Sequence, residues 1–389
     1  MTASDRRIRI VHLAVDVNTP QRQRTTTAVE WFVESLDPFE NVLIGMRRTP
    51  LAWRTRQTDC GTDRGYRLFD LPFFGLPFGI GLFFSMWLVA RRTIALLEHE
   101  GLRPDIVHAH KLTFEGIAGW CVARHFGVPL FVSLRGEVET KIFRLKPTYR
   151  PLLRRICSYA SHLYFVSAWF RDEYHRHVPA QPDKERRLPN IVRNISPTIT
   201  PQPPGEAFVT ILNLDTWKRK GLPWLIDGFA RAYRQRPSLR MDIIGGGSAD
   251  SIARAQKLIT DAGLTDSVRL TGALPNADVL KRLPFYRGLL LPSRNETFGM
   301  VYVEALFAGI PILFTRGTAI DGYLDGIDVA VTVREGDVEA IAQGILSLDR
   351  ETSRMRETLQ NRAAELHARF DPDHVLTVYR SDIKAAVTE

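Results

Sequence analysis

The stretch "NETFGMVYVEALFAGIP", residues 295–311, carries two carboxylates, Glu296 and Glu304, separated by Gly299 and a run of apolar residues. In one continuous helix, eight positions at about 100° each would leave the second acid roughly 80° around the axis from the first. No single helical face would then present both. A break between them is the better reading. "LLLPSR" reads as a buried strand stopped by proline, Gly299 interrupts the chain, and "MVYVEALFAG" reads as a helix ended by Gly309 and Pro311. Glu296 is therefore expected in a loop after a strand, and Glu304 near the start of the following helix.

Other chemically capable residues also fall at the ends of apolar runs. "MDIIGGGSAD" runs a strand into Gly245, Gly246 and Gly247 ahead of a helix, an arrangement that lets backbone approach a phosphate closely. It equally describes a plain tight turn. A dinucleotide fingerprint would want a further glycine where Asp250 stands. "LNLDTWKRKGLPWLI" places Lys218, Arg219 and Lys220 just before a helix start, where cations oppose the helix dipole. A bound anion would justify them; a solvated charge run is the alternative. "DIVHAH" ends a strand with His108 and His110 on one face, His110 nearer the strand end and so the better placed to reach a cleft; a satisfied structural histidine is the alternative. "FVSLRGEVE" ends another strand with Arg135, Gly136 and Glu137, candidates to line the same cleft.

These residues need a scaffold of parallel strands. In the first half "IRIVHLAV", "NVLIGM", "DIVHAH", "PLFVSL" and "HLYFV" read as strands, with helical segments such as "FEGIAGWCVARHFG" between them. "PTITPQPPG", residues 197–205, has no apolar period and reads as a linker. The alternation then resumes with "AFVTILNL", "LRMDIIG", "SVRLTG", "GLLLPS" and "PILFT" as strands, and with "LPWLIDGFARAYRQ" and "SIARAQKLITDAG" as helices. The expected fold is α/β, two doubly wound Rossmann-like domains: residues 1–196, the linker 197–205, and residues 206–370. A helix over 371–389 is placed to cross back to the first domain. In such sheets ligands bind outside the carboxyl ends of the strands, so a site made by both domains is expected in a cleft between them.

Composition narrows the partners. A chain of 389 residues with 44% hydrophobic and 24% charged residues is ordinary for two globular domains. Three dispersed cysteines, Cys60, Cys121 and Cys157, argue against a disulfide framework or a zinc site and for a reducing, cytosolic setting. The N-terminus shows no signal peptide. A formal charge of +9 favours acidic partners, and no nucleic-acid-binding signature accompanies it. The uncharged run "LPFFGLPFGIGLFFSMWLVA", residues 71–90, has three readings: a core helix, a segment lying in a membrane interface, or a span. Helical spacing from Leu82 past Arg91 and Arg92, together with two prolines and three glycines, weighs against the span.

In their order along the chain, "RPDIVHAH", "GVPLFVSLRG", "LPNIVRN", "RKGLPWLIDGFARA", "MDIIGGGSAD" and "PSRNETFGMVYVEALFAGIPI" resemble the retaining glycosyltransferases of GT-B fold that share an E-x7-E motif. This is glycosyltransferase family 4, or glycosyl transferases group 1, which includes sucrose synthase and bacterial mannosyltransferases. The resemblance implies a metal-independent transfer, without a cofactor, of a sugar from a nucleotide diphosphate to an acceptor hydroxyl. It places Glu296 and the backbone amides of Phe298, Gly299 and Met300 at the donor sugar and diphosphate. Glu304 falls on the ribose hydroxyls, Lys220 on the leaving diphosphate, and His110 near the reacting sugar carbon. Gly246 falls in the donor loop. The expected partners are a nucleotide sugar and a glycan or lipid-linked acceptor, with peripheral membrane contact through residues 71–90 left open.

Three departures stand out. The family's arginine ahead of its lysine is missing, with Asn213 near that place and Arg219 or Arg294 as candidate replacements. The acceptor loop "VDVNTPQRQRTTTAVEW" has no glycine, and Arg135 stands where many members have histidine. A catalytically inactive nucleotide-sugar-binding subunit and a nucleotide-sugar epimerase are the competing readings.

Overall fold

The computed structural model describes residues 7–22, 26–50, 52, 57–76 and 79–388. The chain divides into two units, one of residues 1–191 with 372–389 and one of residues 192–371.

The first unit is built on eight strands: β1 (Arg9–Ala14), β2 (Glu40–Arg48), β3 (Thr58–Asp59), β4 (Arg67–Phe73), β5 (Ile106–Ala109), β6 (Leu130–Leu134), β7 (His162–Phe165) and β8 (Glu185–Arg187). Their order is β3-β4-β2-β1-β5-β6-β7-β8, parallel except for the short antiparallel β3. The order reverses between β1 and β5, which run in register with His12 opposite His108. Alternation along β1 sends Val11 and Leu13 to one core and Ile10 and Ala14 to another, so the sheet is covered on both faces. The helices Leu82–His99 and Phe114–Phe126 supply the first cover. The helix Pro372–Thr388 supplies part of the second through Val375, Leu376, Tyr379 and Ile383.

The second unit carries β9 (Ala207–Ile211), β10 (Arg240–Ile244), β11 (Val268–Gly272), β12 (Leu289–Leu291), β13 (Ile312–Thr315) and β14 (Ala330–Val333). All pairings are parallel, in the order β11-β10-β9-β12-β13-β14. That is the doubly wound order 3-2-1-4-5-6, with its switch point between β9 and β12.

Several elements differ from the sequence reading. Residues 197–205 lack regular structure but belong to the second unit rather than forming a separate linker. The reason is contact: Gly205 lies against Phe285 and Ile199 against Gly309. Residues 71–90 are not one element. Leu71–Phe73 finish β4, residues 77–78 lie outside the described residues, and the helix begins at Leu82. No helix among the described residues is long and apolar enough to cross a membrane. β4 carries Pro72 within its span, opposite Arg47 of β2, and among the described residues β3 pairs only with Phe69 and Asp70.

Candidate active site

In the second unit the switch point gathers the residues singled out from sequence. The chain leaving β9 makes a short 3-10 turn, Leu214–Thr216, before the helix Leu222–Gln235. Gly221 joins them at φ 73°, and a Cβ there would lie 2.0 Å from the carbonyl oxygen of Pro292. Only glycine permits that approach. It brings Lys220 to the loop after β12, where the ammonium pairs with the Glu296 carboxylate. Arg294 N–H also donates to Arg219 O at 2.7 Å, tying the two loops by backbone.

Glu296 lies in that loop and Glu304 on the helix Met300–Phe307. Gly299 caps the helix at φ 69°, where a Cβ would meet the Tyr302 ring at 2.5 Å. Phe298 is fully buried, edge-on to Tyr323 and Phe370, and anchors the loop. The amides of Phe298, Gly299 and Met300 make no hydrogen bond among the described residues, leaving donors at a helix N-terminus. Tyr302 Oη donates to Leu291 O at 2.7 Å and fixes the helix against β12. Burial raises the Glu304 carboxyl above its usual range, against a hydrogen bond from the Asn276 side chain that lowers it.

Not every predicted residue is free to meet a ligand. Asn213 spends its side-chain oxygen on the Asp215 N–H at 2.8 Å, capping the turn. Gly246 accepts from Leu214 N at 2.8 Å, and a Cβ there would meet Ala273 at 3.0 Å. Arg294 is held by Glu335 at 2.5 Å and lies over the Trp224 ring. Arg219 is exposed and makes no side-chain bond among the described residues.

In the first unit the ends of β1, β5 and β6 carry a second cluster, which includes groups that sequence reasoning passed over. His110 follows β5 and is buried, stacked on His108 at 4.2 Å between ring centroids. Arg135 donates to His110 O at 2.8 Å and to Asn190 Oδ1 at 3.2 Å, so it braces the strand ends. Glu137 pairs on the surface with Lys141. Lys111 pairs with Asp16, and Glu115 accepts from Val15 N at 3.0 Å. Glu139 accepts from Leu112 N at 3.2 Å. The three acids and the lysine stand beside the quoted motifs, but only the folded contacts show that they hold the loops leaving β1 and β5. Burial pushes the Glu115 carboxyl up to about 7, against the opposing pull of Lys111.

One nitrogen from each of His12, His108 and His110 lies within 4.8 Å of the others, a spacing that a metal ion can bridge. Both nitrogens of His12 and both of His108 are already hydrogen-bonded to protein, and an ion would have to displace such bonds.

Two Rossmann-like units with charged groups at their switch points define the GT-B fold class. Structural likeness agrees. Sucrose-phosphate synthase from Thermosynechococcus elongatus superimposes with TM-score 0.73 at 18% identity, covering 97% of this chain and 100% of that one. Anabaena HepE in complex with UDP and glucose superimposes with TM-score 0.68 at 16% identity, covering 97% and 99%. The pattern of the family described as glycosyl transferases group 1 matches residues 205–350, and that of the glycosyl transferase 4-like domain matches residues 22–191. The chain belongs to the group 1 glycosyltransferase family. Among curated relatives, the D-inositol 3-phosphate glycosyltransferase of Streptomyces coelicolor is 27% identical over 63% of this chain and 60% of its own length. The 2-deoxystreptamine N-acetyl-D-glucosaminyltransferase of Streptomyces fradiae is 25% identical over 74% and 73%. The D-inositol 3-phosphate glycosyltransferases of Streptomyces coelicolor and Streptomyces scabiei are matched over only 60% and 58% of their own length.

Proposed function

We propose that this protein transfers a sugar from a nucleotide diphosphate to an acceptor hydroxyl with retention at the anomeric carbon. The observation that carries the reading is the Lys220–Glu296 pair beside the unbonded amides of Phe298, Gly299 and Met300. In the reaction the bond from the anomeric carbon to the diphosphate oxygen breaks, and its electron pair leaves with the phosphate. The acceptor oxygen bonds to the same carbon from the same face, and its proton passes to the departing phosphate oxygen. Negative charge then grows where positive groups already stand, so Lys220, Arg219 and the helix N-terminus stabilise it without a divalent ion. Glu304 takes the ribose hydroxyls, Glu296 the donor sugar, and His110 a hydroxyl near the reacting carbon.

The proposed acceptor is a glycan or a lipid-linked sugar reached at a membrane surface. In the first two turns of the helix Leu82–His99 Ser85 is the one polar residue: Leu82 and Met86 are buried, while Phe84 and Leu88 are exposed at 60% and 43%. Exposed Phe74 and Ile80 extend the patch. It adjoins residues 140–171, which contain no acid, through Gly79 beside Lys146 and Phe83 N beside Tyr149 Oη. Arg91 stacks on Trp87 at its edge. Apolar projections beside an acid-free cationic stretch suit an anionic bilayer surface.

Incubation with UDP-, GDP-, ADP- and dTDP-sugars and a glycolipid extract tests the transfer. Release of nucleoside diphosphate together with a retained-configuration glycoside is expected. Binding without turnover would make the chain a carrier subunit, and an isomerised donor would make it an epimerase. Undiminished turnover in EDTA is expected; loss restored by Mg²⁺ would overturn the metal-free step.

A further inference from the structure

A hydrogen-bonded line crosses the first sheet from Asn41 on β2 through His12 on β1 to His110 at the end of β5, and its direction can be worked out atom by atom. Asn41 Nδ2 faces two carbonyl oxygens, Phe39 O at 3.2 Å and Leu36 O at 3.5 Å. Carbonyls only accept, so the amide nitrogen belongs on that side, and Oδ1 faces His12 Nε2 at 3.2 Å. An amide oxygen cannot donate. His12 Nε2 therefore carries the proton. His12 is fully buried, and burial lowers its imidazole to about 4, so at neutral pH the ring is uncharged and Nδ1 holds a lone pair. That lone pair faces His110 Nε2 at 3.1 Å, which must then be the donor. Burial and the neighbouring cations keep His110 neutral as well, so its other nitrogen, Nδ1, is a bare acceptor. Among the described residues His110 Nδ1 has no hydrogen-bond partner. His108 contrasts with it, bound through Nε2 to Ser133 Oγ at 2.9 Å and through Nδ1 to Tyr379 Oη at 2.8 Å. Rotation of the His110 ring is blocked by its stack on His108 at 4.2 Å and by the edge contact with Phe32 at 5.8 Å.

We propose that His12 and Asn41 are positioning residues that hold His110 as its Nε2–H tautomer, so that Nδ1 accepts a hydrogen bond from a hydroxyl of the reacting sugar. The group His110 meets must then be a donor. A hydroxyl fits, whereas a fluorine or an ether oxygen at that place does not. The tautomer follows from contacts within the first unit; its use on the sugar rests on the transferase reading.

Two measurements separate these parts. Long-range ¹⁵N–¹H correlation spectra of the ligand-free protein at pH 7 should show His110 with a protonated Nε2 and an unprotonated Nδ1. His12→Leu, which removes the acceptor, should shift His110 toward the Nδ1–H form and lower kcat about tenfold, the cost of one mispaired hydrogen bond. His12→Asn should restore both, because its carboxamide oxygen sits where Nδ1 was. A protonated Nδ1 in the wild type, or an unchanged tautomer in a His12→Leu protein that still melts cooperatively, overturns the proposal. If the tautomer shifts but kcat does not, the positioning role is wrong. If His110→Ala also keeps wild-type turnover, the fault lies in assigning His110 to the sugar, and the hydrogen-bonded line stands.

Discussion

Lys220→Ala should separate turnover from stability. The ammonium and the Glu296 carboxylate have side chains only 16% and 12% exposed, so each is the other's main solvation. Truncating the lysine leaves a largely buried carboxylate without its counter-charge, at about 1–3 kcal/mol. For a unit of residues 192–371, that corresponds to a melting temperature lower by roughly 2–12 °C. The kinetic loss has a different origin. Without the ammonium, charge growing on the departing diphosphate loses a preorganised partner, which costs on the order of 10²- to 10³-fold in kcat, or about 2.7–4 kcal/mol. The double variant Lys220→Ala with Glu296→Gln discriminates the two effects. It removes the stranded charge, so melting should return most of the way to wild type, while turnover stays low. Differential scanning calorimetry and single-turnover kinetics on the four proteins complete the cycle. Recovery of turnover alongside stability would mean that the lysine serves only to satisfy Glu296. Wild-type turnover in Lys220→Ala would refute the reasoning outright.

Glu304→Gln should weaken both donor and bare nucleoside diphosphate by roughly 1.5–3 kcal/mol, the worth of a hydrogen bond to a charged group, whereas Glu296→Gln spares the diphosphate; calorimetry decides, and equal losses would mean the roles are misassigned. Glu115→Gln keeps an acceptor for Val15 N–H and removes a carboxyl held up to about 7 against an ordinary 4.5. Because the folded wild type binds this proton more tightly than the unfolded chain, its stability falls as pH rises from about 4.5 to about 7, so the variant's relative gain should grow across that window and then level off. A gain independent of pH in urea titrations would contradict the shift. Flotation with anionic liposomes should retain the wild type at low salt and release it with Phe84→Ser plus Leu88→Ser; absence of wild-type binding would return the patch to another partner.

The sequence made most of the second unit legible because its strands are continuous apolar runs bounded by glycine and proline. "LPWLIDGFARAYRQ" coincides with the helix Leu222–Gln235. The break at Gly299 was legible too, from the arithmetic of two acids on a helix. What escaped notice depends on long-range pairing. β14 reads "AVTV" without strong boundaries, and β4 carries a proline, Pro72, inside its span. At the site, Asn213 looked like a ligand-facing residue because capping a turn and binding a ligand call for the same side chain. Asn41 and His12 lie on different strands 29 positions apart, and no spacing rule within one element connects them.

The segment 372–389 covers a face of the first sheet, yet it follows the whole of residues 192–371 in the chain. During synthesis the first 191 residues therefore emerge with that face only partly covered, and Tyr379 is not there to meet His108 until the second unit has been made. Such sequence separation slows closure and exposes apolar surface to other chains meanwhile. Vectorial folding would complete the second unit first and the first unit last, so the helix Pro372–Thr388 acts as the closing step of assembly. Supplying it in trans as a separate peptide to a chain ending at residue 371 would reproduce that step outside the ribosome.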